Sequence, residues 1–110
     1  MIYDKEGNTT IVCQEKPALP LFIKNLQEGY GKVAQNHLIL DLCDFKNLSG
    51  NDLLAFLELS NAHRKKGKSF VVVTDKLTYE EVPNEIIIAP TLQEARDIIE
   101  MEEMERDLGL

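Results

Sequence analysis

Leu38-Ile39-Leu40-Asp41-Leu42-Cys43-Asp44-Phe45-Lys46-Asn47-Leu48-Ser49-Gly50-Asn51-Asp52-Leu53-Leu54-Ala55-Phe56-Leu57 is the stretch whose reading decides the fold. From Leu38 to Cys43 it is too continuously apolar for a strand with one wet face, and it fits a central strand covered on both. After a polar link, apolar residues return at Leu53, Leu54, Phe56, Leu57 and Leu59, the wide face of a helix expected from Asn51 to Arg64. Lys65 and Lys66 place positive charge where helix carbonyls point outward, and Gly67 suits the position after the helix end. The junction between strand and helix thus carries one hydroxyl, Ser49, at a helix start.

Further strands are expected at Phe70 to Thr74 and Glu85 to Ala89, with at most a short helix at Tyr79 to Pro83 between them. Towards the N-terminus, Ile2-Tyr3 and Thr9-Thr10-Ile11-Val12-Cys13 flank a Gly7-Asn8 turn, the pattern of a hairpin. Pro17 and Pro20 mark the start of a first helix. Its apolar face is Leu19, Phe22, Ile23 and Leu26; Gly29-Tyr30-Gly31 weakens its second half, and Asn36 closes it. Strand and helix alternate after residue 35, and the link from Cys43 to Phe70 is long enough for a crossover between parallel strands. The expectation is an α/β fold, a mixed central sheet with helices mainly on one face. That arrangement does not account for central strands that are apolar on both faces.

The chain has 110 residues, the usual size of one domain, so a single domain over 1–110 is expected. Its formal charge of −7 disfavours nucleic acid, because each phosphate contact needs a cationic side chain. The run Arg64-Lys65-Lys66-Gly67-Lys68 reads more simply as a solvated helix end than as a nucleic-acid patch. Met1-Ile2-Tyr3-Asp4-Lys5 has neither the basic nor the apolar region of a secretion signal. The apolar runs Phe70 to Val73 and Ile86 to Pro90 are far short of the roughly twenty residues that span a membrane. A cytoplasmic location without a membrane partner follows as an expectation, with Cys13 and Cys43 as reduced core residues.

Little in the sequence points to catalysis. His37 and His63 have no carboxylate or cysteine at metal-ligand spacing, and no Gly-rich phosphate loop is present, so neither a metal nor a cofactor is expected and no residue is assigned a catalytic role. Asp41 and Asp44 lie near the carboxyl end of an expected parallel strand, where open α/β sheets place ligands. With Ser49 they frame the alternative reading, a small phosphotransfer or hydrolytic enzyme. The plainer reading makes them strand-end solubility and a turn cap by Asp44.

The order of elements, the strand ILDLCDF, the link KNLSG, the helix ending in RKKGK, the strand FVVVTD and the final APTLQEA together resemble a STAS domain, the fold of bacterial anti-sigma-factor antagonists. The family motif is an apolar strand ending in Asp-Leu, then a link with an aromatic and Asp-Ser-Ser-Gly-Leu opening a helix. Asp41-Leu42 match the first part, Phe45 the aromatic, and Asn47-Leu48-Ser49-Gly50 occupy the Asp-Ser-Ser-Gly positions. Asn47, Leu48 and Asn51 stand where the family has aspartate, serine and leucine. The resemblance implies a non-enzymatic signalling domain that binds a partner of serine-kinase fold. It puts the contact at Asn47, Leu48, Ser49, Gly50, Asn51 and Leu53, and phosphorylation of Ser49 would abolish it. Without the resemblance, Ser49 reads as an N-cap offering an acceptor to open amides.

Thr91 and Glu94 form a T-x-x-E helix start. At 100° per residue, Leu92, Ala95, Ile98 and Ile99 share one side of the helix that follows, whereas Met101, Met104 and Leu108 point roughly 150° away. Residues 101–110 therefore read as an acidic helical extension. Its second apolar stripe would meet a second copy or a basic partner, fold back after a helix break, or remain solvated.

Overall fold

The computed structural model describes residues 1–14 and 18–109. The helix-start role of Pro17 and the last residue of the extension, Leu110, lie outside them. Five strands, β1 (Ile2–Glu6), β2 (Thr9–Cys13), β3 (His37–Asp41), β4 (Phe70–Val73) and β5 (Ile87–Ala89), form one sheet in chain order. Three α-helices accompany them: α1 (Leu19–Val33), α2 (Leu57–Lys65) and α3 (Leu92–Asp107). β1 pairs antiparallel with β2, and every later neighbour is parallel, with Leu38 opposite Phe70 and Leu40 opposite Val72 at the centre. The fold is α/β with a mixed sheet.

The hairpin forms where Gly7 takes φ +61° while Asn8 keeps a negative φ, the pattern of a type II′ turn that matches strand twist. The chain then steps from β2 to β3 to β4 in one direction across the sheet. Right-handed crossovers in one direction put their connecting helices on one face, and α1 and α2 share it. Phe22 and Leu26 of α1 and Phe56 at the start of α2 pack there on Val12, Leu38, Leu40, Phe70 and Val72. Phe22 meets both Phe45 and Phe56 edge to face.

The step from β4 to β5 carries only a 3-10 turn, Tyr79–Glu81, so the opposite face stays open until α3 follows β5. Ala95 and Ile99 of α3 close it over Ile11, Ile39, Val71, Val73 and Ala89. This accounts for the apolar character of both faces of β3 and β4. Leu38 and Leu40 point to α1 and α2, Ile39 points to α3, and all three are fully buried.

α1 does not weaken at Gly29-Tyr30-Gly31 but runs unbroken to Val33. A Cβ at Gly29 would collide with the Tyr3 hydroxyl, so this glycine lets the hairpin cross the helix, and Tyr30 serves a buried polar anchor. There His63 of α2, with no exposed surface, places Nε2 at 2.8 Å from the Asn36 carbonyl. A carbonyl only accepts, so Nε2 carries the proton and Nδ1 accepts from the Tyr30 hydroxyl at 2.6 Å. The ring also stands edge-on to Tyr30 and Phe70.

A second anchor ties α3 to the amino ends of β3 and β4. Glu102 takes Arg64 in a fork at 3.3 and 2.8 Å and the hydroxyl of the buried Ser69 at 2.6 Å, and Arg106 donates to that same hydroxyl at 3.1 Å. Burial pushes the Glu102 carboxyl up, but the hydrogen bonds from Arg64 and Ser69 and the charges of Arg64 and Arg106 prevail, and its pKa lies below 4.5. His37 accepts the Ser69 N–H on Nδ1 at 2.8 Å and faces Glu103 with Nε2 at 3.3 Å. The segment from Met101 onward is therefore built into the body. α3 continues without a break to Asp107, which removes the fold-back expectation.

Burial holds the His63 pKa at about 4, below the ordinary 6.5, against the opposing pull of the Asn36 hydrogen bond. Burial lowers His37 as well, more than the carboxylate of Glu103 raises it. The unfolded chain thus takes up a proton near pH 6.5 that folded His63 refuses until about pH 4, and stability falls as pH falls through that window. From pH 7 to 5 the His63 share is a loss of about 2 kcal/mol, at about 1.4 kcal/mol per pH unit below 6.5. Urea unfolding at both pH values measures it. His63→Gln, which does not titrate, should flatten the dependence while lowering stability throughout.

Candidate functional site

The carboxyl ends of β3 and β4 carry the segment from Asp41 to Asp52, and its geometry follows from two buried leucines and one missing side chain. Leu42 and Leu48 enter the core on either side of the link, with Phe45 between them. Polar residues are thereby turned outward: Asp44, Lys46, Asn47, Ser49 and Asn51 are exposed. Leu48 and Leu53 correct the contact set expected from sequence, because both are core residues and Leu53 is fully buried. The exposed members of that set are Asn47, Ser49 and Asn51, with Gly50 half-buried. Leu54, half exposed, was missed. Its signal is the pair Leu53-Leu54, since successive residues of a helical segment point about 100° apart and the core can bury one while leaving the other outside.

The helix expected from Asn51 to Arg64 is two pieces, a 3-10 segment Gly50–Phe56 and then α2. Ser49 is the N-cap of the first. Its Oγ accepts the Asp52 N–H at 3.4 Å, and the Asp52 carboxylate accepts the Ser49 N–H at 2.8 Å, a reciprocal capping box. A second box lies at Thr78 and Glu81, where Glu81 Oε1 accepts the Thr78 N–H at 2.9 Å and its hydroxyl at 3.0 Å. The two capped turns pack directly on each other: a Cβ at Gly50 would be driven into the carbonyl oxygen of Glu81. Ser49 thus sits on a turn braced by the core below and by a second turn beside it.

Next to this turn lies a shallow cleft of about 360 Å³ lined by Leu19, Asp44, Phe45, Lys46, Asn47, Leu48 and Asp52. Of the three residues in the enzymatic alternative, its wall carries Asp44. Asp41 instead accepts the Cys43 N–H at 3.1 Å, and the Ser49 hydroxyl is turned to its own capping turn. Among the described residues no three His, Cys, Asp or Glu side chains are grouped to hold a metal ion. Burial, then the hydrogen bond and charge of Asp41, push the Cys43 thiol up to about 11, so it is protonated at neutral pH. No disulfide joins Cys43 to Cys13.

His37 and His63, weighed as metal ligands in the sequence, serve the two anchors at the opposite, amino ends of the strands. Among the described residues no helix is long and apolar enough to cross a membrane. Comparison of the chain with protein-family models, curated proteins and solved structures finds no match.

Gly50→Ala should destabilise the fold by about 1 to 3 kcal/mol or more, since the obstructing atom is backbone. Gly29→Ala is the control: its obstruction is the tip of the partly exposed Tyr3 side chain, which can rotate away, and alanine gains up to about 1 kcal/mol of helix propensity. Thermal melts of the two variants against wild type distinguish them.

Proposed function

We propose that the chain is a STAS-like, non-enzymatic protein-interaction domain. Its contact surface is the Asn47 to Asn51 turn with Leu54, and phosphorylation of Ser49 switches it off. The observation that carries the reading is the Ser49 turn itself: an exposed hydroxyl held in fixed geometry at the carboxyl end of a parallel sheet, on a loop whose apolar residues are committed to the core. The element order, with an antiparallel β1 leading a parallel run, supports the same reading.

The switch has a direct physical basis. Transfer of the terminal phosphoryl group of a nucleoside triphosphate to Ser49 Oγ releases the hydroxyl proton and the nucleoside diphosphate. It leaves nearly two negative charges on a surface that must pack against a partner. The phosphate would lie beside the Asp52 carboxylate, which already accepts the Ser49 N–H, so like-charge repulsion acts within the capping box as well as across the interface. A partner of serine-kinase fold fits such a turn, as both reader and modifier of one hydroxyl. The enzymatic alternative gains no support from Asp41, whose carboxylate is engaged by Cys43.

Ser49→Asp should reduce partner retention by about tenfold or more, corresponding to about 1.4 kcal/mol. Ser49→Ala should keep it at a folding cost of about 1 kcal/mol for the lost cap. Affinity purification of the three forms from the native cell, with mass spectrometry of both the partners and Ser49, measures retention and phosphorylation together. Equal retention by all three forms would remove the switch.

A further inference from the structure

α3 carries two faces with different occupants. Ala95 and Ile99 are buried on the sheet, whereas Met101, Met104 and Leu108 are 61%, 54% and 73% exposed on the far side. Glu94 and Asp97 continue that outer face towards the helix start, so Glu94, Asp97, Met101, Met104 and Leu108 recur at alternating spacings of three and four. This is the spacing along which the seam of a two-stranded coiled coil runs. Its first two positions are acidic and its last three apolar. Glu105 is exposed beside Leu108.

The basic residues of α3 do not neutralise this face. Arg96 is bound to Glu6 across the hairpin, and Arg106 is turned inward to Ser69 and Glu102. Among the described residues Glu94, Asp97 and Glu105 form no ion pair. The outer face therefore combines an uncovered apolar end with an uncompensated acidic end on a rigid helix.

We infer that this face docks an amphipathic helix of a partner protein, with apolar side chains for Met101, Met104 and Leu108 and lysine or arginine for Glu94 and Asp97. Charge selects the occupant. A second copy aligned in parallel would set Glu94 and Asp97 against their own duplicates, and an antiparallel copy would bury those carboxylates against Met104 and Leu108; each chain also carries a net charge of −7. Nucleic acid and anionic membrane are repelled for the same reason. Methionine suits the apolar end, because its unbranched, polarisable side chain repacks around differing partners. The site is independent of the Ser49 turn and stands or falls separately from it.

The probe is a synthetic amphipathic helix of about three heptads with leucines on its a/d seam and paired lysines on that seam at both ends. A matched peptide carries glutamate in place of lysine. Fluorescence anisotropy against the full chain should show one-to-one binding of the lysine peptide that weakens about tenfold on raising salt from about 0.05 to 0.3 M. The glutamate peptide should not bind. Met104→Glu should abolish binding while lowering the thermal midpoint by no more than about 4 °C, because that side chain is more than half exposed. Ser49→Asp should bind the lysine peptide as wild type does. Absence of binding, equal binding of both peptides, or binding that survives Met104→Glu overturns the inference. Sedimentation showing a dimer that Met104→Glu dissociates would assign the face to a second copy and overturn it equally.

Discussion

Everything in this fold depends on the double-sided burial of β3 and β4. Leu38, Ile39, Leu40 and Phe70 to Val73 have no exposed surface, and alternate side chains on each strand point to opposite faces. Neither face of such a strand can be left wet: each fully buried aliphatic side chain is worth about 1.5 to 3 kcal/mol, and uncovering one face forfeits half of them. One helix layer is therefore insufficient. α1 and α2 cover one face because two crossovers in the same direction put them there, and α3 is the element left to cover the other.

That burden on α3 explains its division of labour. Its first half is attached by apolar packing, with Ala95 and Ile99 buried and Leu92 and Ile98 partly so, and its second half by polar chemistry through Glu102, Arg106 and Glu103. A polar anchor is affordable at the amino ends of the strands because Arg64, Ser69 and His37 are all placed to answer it there. Attachment by one side leaves the opposite side of the helix without intramolecular work, which is why an apolar stripe survives on its surface.

The proposed contact turn and the two histidine anchors occupy opposite ends of the sheet. At the carboxyl ends the chain turns polar groups outward on a loop stapled by Phe45, Leu48 and the Gly50 contact. At the amino ends it buries polar groups in closed hydrogen-bond sets. His63 illustrates the difference: both ring nitrogens are satisfied and the ring is removed from solvent, so its chemistry is consumed by structure.

Periodicity and turn chemistry by themselves determined the α/β class, the N-terminal hairpin, the parallel centre and the helix starts at Ser49 and Thr91. These are local signals, carried by residues a few positions apart. The same local signals misjudged Gly29 and Leu53, and in both cases the deciding contact comes from distant chain. Gly29 is read as a weak point until Tyr3 crosses it, and Gly50 is read as a motif position until the Glu81 carbonyl arrives against it. Leu53 and Leu54 are indistinguishable in the sequence, and only the direction in which the core lies buries the first and exposes the second. The closure of the second sheet face by α3, and the polar clasp that makes residues from Met101 onward part of the body, were likewise decided by tertiary structure. The clasp joins residues more than thirty positions apart, the closure carries α3 onto strands as distant in the chain as β2, and a pattern of period two or 3.6 carries no information at such separations.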